Sequence, residues 1–252
     1  MDTTSPKRLA HYLLRKVNKA CRVYNLLADG DRIVVAVSGG KDSNTLLDLL
    51  HRRRGVEHYH LVAVHVLLAS EECQAPVDPA ELERWLKGLG VEYTFVPLEP
   101  ASGRPRREKQ SPCFHCAWRR RKALFLAAQR LGCNKVALGH NADDVAQTTL
   151  LNLVYHGRLE TMAARVGLFG GEITVIRPLY LVPEKEIVRY VQAGGVPVLA
   201  GPCPVAANSR RAEMARVLRV LEQQNPRVKV ALLRAAEKVT GTWGSTGHLL
   251  RR

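Results

Sequence analysis

The run IVVAVSGGKDSNTLLDLL, Ile33 to Leu50, passes from five apolar residues through Ser38-Gly39-Gly40-Lys41-Asp42-Ser43 into a leucine-spaced segment. A β-branched run without polar alternation predicts a strand buried on both faces, and Leu46, Leu47, Leu49 and Leu50 predict one side of an amphipathic helix. The glycine turn then sits at a strand's carboxyl end, where open α/β sheets hold their ligands. Two adjacent glycines let the backbone curl closely around a ligand. The N–H groups that open the next helix lack internal partners and carry partial positive charge, so the turn is an anion site. Lys41 adds a cation, Ser38 and Ser43 add hydroxyls, and Asp42 beside phosphate calls for a metal or a donor between them. Phosphates with Mg2+ are therefore the expected occupants. Four residues before Gly-Lys would make a Walker A loop and GxGxxG a dinucleotide turn, and the spacing here is neither. A capped glycine turn that binds nothing is the bland alternative.

The same alternation continues on both sides of this stretch. Strands are predicted at 60–67 (HLVAVHVL), 91–97 (VEYTFVP), 134–139 (NKVALG) and 172–176 (EITVI). Helices are predicted at 43–54, 79–89, 114–131 and 142–156. This rhythm predicts an α/β fold with a doubly wound parallel sheet and right-handed crossovers. Residues 6–28 form a basic-apolar helical pattern with Leu9, Leu13, Val17 and Cys21 on one face, able to dock on the domain or on a nucleic acid. From 183 onward the pattern turns helical, at 183–193, 207–223 and 226–238, and the tail TGTWGSTGHLLRR reads as irregular. The expected organisation is a helical arm over 1–30, an ATP-binding unit over 31–180, and a helical extension over 181–252.

At 252 residues the chain can bury a full core. Its 38 Lys and Arg against 23 Asp and Glu give a net charge of +15, which points to a polyanionic partner, with a solvated basic surface as the bland alternative. The basic residues cluster at Arg104–Arg107 and Arg119–Lys122. No apolar run has the length of a membrane span and no signal-peptide core is present, so a soluble, cytoplasmic protein with no membrane partner is expected. Six cysteines in that compartment argue against a disulfide framework and need separate readings.

Two further constellations carry chemistry. In GHNADD, Gly139-His140 ends a strand, Asn141 can cap the helix, and Asp143 and Asp144 suit its N-terminus. Two acids and a histidine at a strand's carboxyl end, beside the glycine turn, can also hold Mg2+ and orient a reacting group. The other is Cys113-Phe114-His115-Cys116, a CxxC heading a basic helix, which suits metal binding or redox chemistry. Cys203, fixed between prolines in GPCP, makes a third thiolate, and three thiolates favour a soft metal or an iron-sulfur cluster. Zinc would need a fourth ligand. Cys21 and Cys133 read as core, Cys73 as a loop thiol. His65 reads as a tolerated strand residue beside the expected adenine pocket.

Strand, SGGKDS and helix resemble the PP-loop of the N-type ATP pyrophosphatases. With the CxxC, the GHxxDD helix and the late cysteine in that order, the chain resembles the TtcA/TtuA family of tRNA thiolation enzymes, on its 2-thiocytidine side. GRLETM at 157–162 and IRPLYLVPEKEI at 176–187 extend the likeness over about residues 9–220. The resemblance implies that Ser38, Gly39, Gly40, Asp42 and Ser43 bind ATP phosphates with Lys41, and that His65, Gly139 and His140 line the nucleotide site. It implies Asp143 or Asp144 for Mg2+ or catalysis, and Cys113, Cys116 and Cys203 as ligands of a [4Fe-4S] cluster whose open iron can hold sulfide. GPCP departs from the family's CxxC-like pair at the late cysteine. The implied partners are tRNA, with cytidine 32 as target, and a sulfur donor such as a cysteine desulfurase, sulfide or a sulfur carrier, with a homodimer possible. The competing readings are a 2-thiouridine synthetase, a cluster-free lysidine synthetase and a zinc-containing RNA-binding module.

Overall fold

The computed structural model describes residues 5–67, 77–98, 112–200 and 209–239, and only the backbone of 112–114. Cys73, Cys203, the Arg104–Arg107 cluster, the thiol of Cys113 and the tail from Thr240 lie outside the described residues. Six strands form one sheet in the order β3-β2-β1-β4-β6-β5: β1 Arg32–Ala36, β2 His60–Leu67, β3 Glu92–Pro97, β4 Lys135–Ala137, β5 Arg165–Leu168 and β6 Ile173–Ile176. All neighbours run parallel except β5, which pairs antiparallel with β6 at the edge. The chain leaves β1 in one direction toward β2 and β3 and returns on its other side through β4. The sheet's switch point is therefore the gap between the carboxyl ends of β1 and β4.

Period-two burial divides the strand side chains between two layers. Ile33, Val35, Leu61, Ala63, Ala137 and Ile176 face α1 (Pro6–Tyr24), α2 (Lys41–Arg53) and α6 (Glu184–Gln192). Val34, Val62, Val64, Val136 and Val175 face α4 (Pro112–Arg130). The fold is doubly wound, as the strand-helix rhythm predicts. A smaller cluster joins Ala146 and Leu150 of α5 (Ala142–His156) to Met214 and Leu218 of α7 (Arg210–Gln224), with α8 (Val228–Val239) beside them. The remaining helix, α3 (Pro79–Leu89), is capped by Asp78.

Three expectations change. The helix α2 is not amphipathic: Asn44, Thr45 and Asp48 are as buried as its leucines, because α1, α6 and the 197–200 segment cover the side turned away from the sheet. The strand β5 is not among the predicted strands, since the alternation of RVGL spans only four residues; it is held by pairing with β6 and by Val166 and Leu168 against the core. The basic-apolar helix ends at Tyr24, where Asn25 adopts a left-handed φ of 51°. That helix packs Ala10, Leu13, Val17, Ala20 and Cys21 into the main core, and so docks on the domain.

Candidate active site

The glycine turn opens α2 with Gly40 as its N-cap, and Gly39 takes a φ of +79° that only glycine adopts without strain. A Cβ on Gly39 would stand 2.7 Å from Val77 Cγ2, so the position is closed on the outside as well. The Ser38 and Ser43 hydroxyls lie 3.0 Å apart, Ser43 Oγ accepts from the Ser38 N–H at 3.0 Å, and it donates to the Gly40 carbonyl at 3.1 Å. The Gly39 carbonyl takes donors from Leu199 N–H at 2.9 Å, Ala200 N–H at 3.1 Å and Asn44 Nδ2 at 3.3 Å. Asn44 also donates to the Pro197 carbonyl at 2.9 Å, so the 197–200 segment is strapped along the turn. Sequence reasoning passed over Asn44 and this strap. In the sequence Asn44 is one more polar residue of a helix's first turn, and only the fold shows it fully buried.

The GHNADD segment stands directly across the switch point. Gly139 packs so closely that a Cβ there would lie 3.1 Å from the Asp42 carbonyl carbon and the Ser43 nitrogen. Asn141 caps α5 in a reciprocal capping box with Asp144, its Oδ1 accepting from the Asp143 and Asp144 N–H groups. Its Nδ2 meanwhile donates to Asp42 Oδ1 at 2.9 Å. One asparagine therefore joins the two motifs. The other Asp42 oxygen meets Lys41 Nζ at 2.8 Å, and Lys41 also meets Glu184 Oε1 at 2.8 Å. Burial draws the Lys41 pKa down, but the bonds from Asp42 and Glu184 outweigh it and hold the ammonium firmly charged.

The two acids of GHNADD separate in role. Asp143 is buried, accepts the Glu184 N–H that opens α6 at 2.8 Å, and pairs with Lys229 of α8 at 2.6 Å. Asp144 lies on the side of Asp42 and Glu184; burial raises its pKa first, and those two carboxylates raise it further against the Asn141 N–H and Arg211. His140 accepts at Nδ1 from Arg177 Nε at 3.3 Å. Burial, then Arg177, Arg211 and Arg121, pull its pKa down to about 3, so the ring is neutral with its proton on Nε2. His65 is buried in β2 and meets the Val37 carbonyl through Nδ1 at 2.8 Å, where β1 ends. Glu184 and Arg177 joined the site without a reading of their own; both lie in the segment 176–187.

The helix α4 crosses from β3 to β4, so its N-terminus lies at the same carboxyl edge of the sheet as the glycine turn. Cys116 stands half-buried in its first turns, with Cys113 three residues earlier in the same helix. Thiolates so spaced fit an iron-sulfur or zinc centre by donor chemistry. Among the described residues no three His, Cys, Asp or Glu side chains are arranged to hold a metal by themselves. Mg2+ commonly needs only one or two carboxylates once phosphate oxygens are supplied, and Asp42 with Asp144 fits that requirement.

A glycine turn closing a central parallel strand and tied to a capped acidic helix across the switch point defines a PP-loop protein, and the family model of the PP-loop domain matches residues 9–202. A tRNA-cytidine(32) 2-sulfurtransferase from Geobacter sulfurreducens is 41% identical over 227 residues, 88% of each chain. One from Anaeromyxobacter dehalogenans is 37% identical over 252 residues, 97% of this chain and 83% of its own length. The chain belongs to the tRNA-cytidine(32) 2-sulfurtransferase family of PP-loop proteins. The U34-tRNA thiolase NcsA of Methanococcus maripaludis, solved with its [4Fe-4S] cluster, shares the fold at a TM-score of 0.73 and 24% identity, over 93% of this chain and 79% of that one.

Proposed function

We propose that this chain is an ATP-dependent tRNA thiolation enzyme that replaces a pyrimidine C2 oxygen with sulfur, with cytidine 32 as the target. The observation that carries the reading is the Asn141–Asp42 hydrogen bond, which locks SGGKDS and GHNADD into one site at the sheet's switch point. In this reading residues 31–180 form the ATP-binding unit, flanked by the helical 1–30 and the extension from 181.

The C2 oxygen of a pyrimidine is a poor leaving group. Attack by that oxygen on the α-phosphorus of ATP forms the O-adenylyl base and releases pyrophosphate; sulfide then adds at C2 and AMP departs with the oxygen, with no net redox change. The Gly39 and Gly40 amides, the open N-terminus of α2 and Lys41 stabilise charge on the phosphates and the departing pyrophosphate. Asp42 and Asp144 would hold Mg2+ against those oxygens, while Asn141 and Lys41 fix the Asp42 carboxylate. Gly139 gives the backbone clearance the approach needs, neutral His140 is a hydrogen-bond donor through Nε2, and His65 flanks the adenine side. Cys113, Cys116 and Cys203 would hold a [4Fe-4S] cluster, which when bound supplies an open iron able to carry sulfide. Cys203 follows the strapped Ala200 by three residues in the chain. The target base must leave its stack to be reached, which suits an anticodon-loop nucleotide.

The test separates the two half-reactions on anaerobically purified protein. Asp42→Ala should abolish AMP formation, whereas Cys113→Ala should leave AMP formation intact and abolish thionucleoside in the digested tRNA. About four irons and four sulfides per chain, lost in Cys203→Ala, should accompany the wild type. Zinc alone, or full thiolation by Cys113→Ala, would remove the sulfur-transfer half of the reading and leave an adenylating enzyme.

A further inference from the structure

Arg177, which directly follows β6, contacts His140, and the charges of Arg211 in the first turn of α7 and of Arg121 on α4 act on the same ring. Arg177 donates to His140 Nδ1 at 3.3 Å and to the Ala163 carbonyl at 2.5 Å. Arg211 reaches Thr148 Oγ1 at 3.1 Å and Asp144 at 3.8 Å, on the helix that starts beside His140. Arg121 donates its Nε to the Ala117 carbonyl at 3.1 Å. Arg177 is half-buried; burial and then the charge of the exposed Arg121 lower its pKa. Among the described residues neither Arg121 nor Arg177 has a carboxylate partner; Arg211 alone has one, Asp144.

Gathering three like charges around a half-buried, neutral histidine is unfavourable unless an anion beyond Asp144 completes the group. Guanidiniums are the side chains that clasp phosphate oxygens in pairs. This cluster is not the glycine turn, which follows β1. It stands across β4 from that turn, at the ends of β4 and β6, and the turn already offers its own amides and Lys41 to the phosphates of ATP. The second anion must therefore come from elsewhere, and a protein of net charge +15 acting on RNA has an abundant source. We propose that Arg121, Arg177 and Arg211 seat a backbone phosphodiester of the substrate RNA next to the nucleotide being modified, with the Nε2–H of His140 completing the donors. This assignment rests on the RNA reading given above. It makes the three arginines positioning residues, which bring the target base toward the adenylating phosphorus without touching the reacting atoms.

The experiment uses the full chain and an anticodon stem-loop RNA in which the phosphates flanking the target nucleotide are replaced, one at a time, by uncharged methylphosphonate. Kd is measured for wild type, Arg177→Gln and Arg211→Gln, alongside ATP affinity. One methylphosphonate should weaken wild-type binding on the order of tenfold. Arg177→Gln should weaken binding of the unmodified RNA by a similar factor and show little further loss with that methylphosphonate, and ATP affinity should not move. Arg211→Gln, at a half-exposed side chain, should follow the same pattern and serves if Arg177→Gln does not fold. Losses that multiply independently would overturn the seat while leaving the enzyme an RNA-binding protein. Loss of ATP affinity in place of RNA affinity would give the cluster to the nucleotide's phosphates and overturn the assignment. A wild-type chain that does not bind the RNA at all would overturn the proposed function and the seat with it.

Discussion

At the scale of single residues, one glycine and one histidine set the site's tolerances. Gly139 faces backbone atoms of Asp42 and Ser43, which cannot rotate away as a side chain would. Gly139→Ala should therefore push the opening of α2 from the end of β4, costing about 1–3 kcal/mol in urea unfolding and reducing AMP formation by a larger factor than stability explains. An unchanged AMP rate would show that the turn tolerates displacement. His140 yields a pH prediction. Its native pKa lies near 3 and its unfolded value near 6.5, so between those limits the unfolded chain binds the extra proton. Stability is then full above about pH 6.5 and declines as pH falls toward 3. His140→Gln should flatten this decline, as read from urea midpoints between about pH 7 and pH 4; identical slopes would place the ring's native pKa near its ordinary value.

At the scale of elements, the helix carrying the glycine turn is held on the side opposite the sheet by a buried polar clasp. Tyr190 of α6 donates to Asp48 Oδ2 at 2.6 Å, and Arg52 donates to the same carboxylate at 2.8 Å. The Tyr190 ring lies against Gly195, where an added Cβ would come within 2.3 Å of it, so the loop after α6 closes over the clasp. Tyr190→Phe keeps the ring and deletes one of the two donors described for the carboxylate of Asp48, whose side chain is only 4% exposed. The expected cost is about 1–3 kcal/mol, measured as a lowered thermal midpoint with the far-UV spectrum unchanged. A neutral outcome would mean that water or Arg52 replaces the hydroxyl.

At the scale of the whole molecule, the C-terminal helices are tied to the site through the acids that open α5. Lys229 of α8 spans Asp143 at 2.6 Å and Glu222 at 2.8 Å, and Asp143 in turn caps α6. Removing the ammonium leaves Asp143 buried with, among the described residues, the Glu184 N–H as its one intersegment donor. Lys229→Ala should cost about 1–3 kcal/mol and speed amide exchange across 210–239 more than across β1 and β2. Uniform exchange over both regions would show that the extension and the sheet open as one unit.

The run 33–50, read alone, carried the strand, the turn and the helix, because a doubly buried strand needs unbroken apolar residues and a phosphate turn needs glycines next to a helix start. The order of strands and helices and the pairing of SGGKDS with GHNADD followed from the same local chemistry. What the chain read in line could not reveal is whatever depends on partners distant along it. Asn44 and Asp48 look solvent-facing by helical period and are buried only because α1, α6 and the 197–200 segment arrive from elsewhere. RVGL becomes a strand by pairing with β6. Asp143 and Asp144 are adjacent and alike in sequence, yet a helix rotates successive side chains by about 100° and sends one to Lys229 and the other toward Asp42 and Glu184. The residue types set which chemistry is available, while the packing of distant elements decided which copy of each type stands at the reacting end of the sheet.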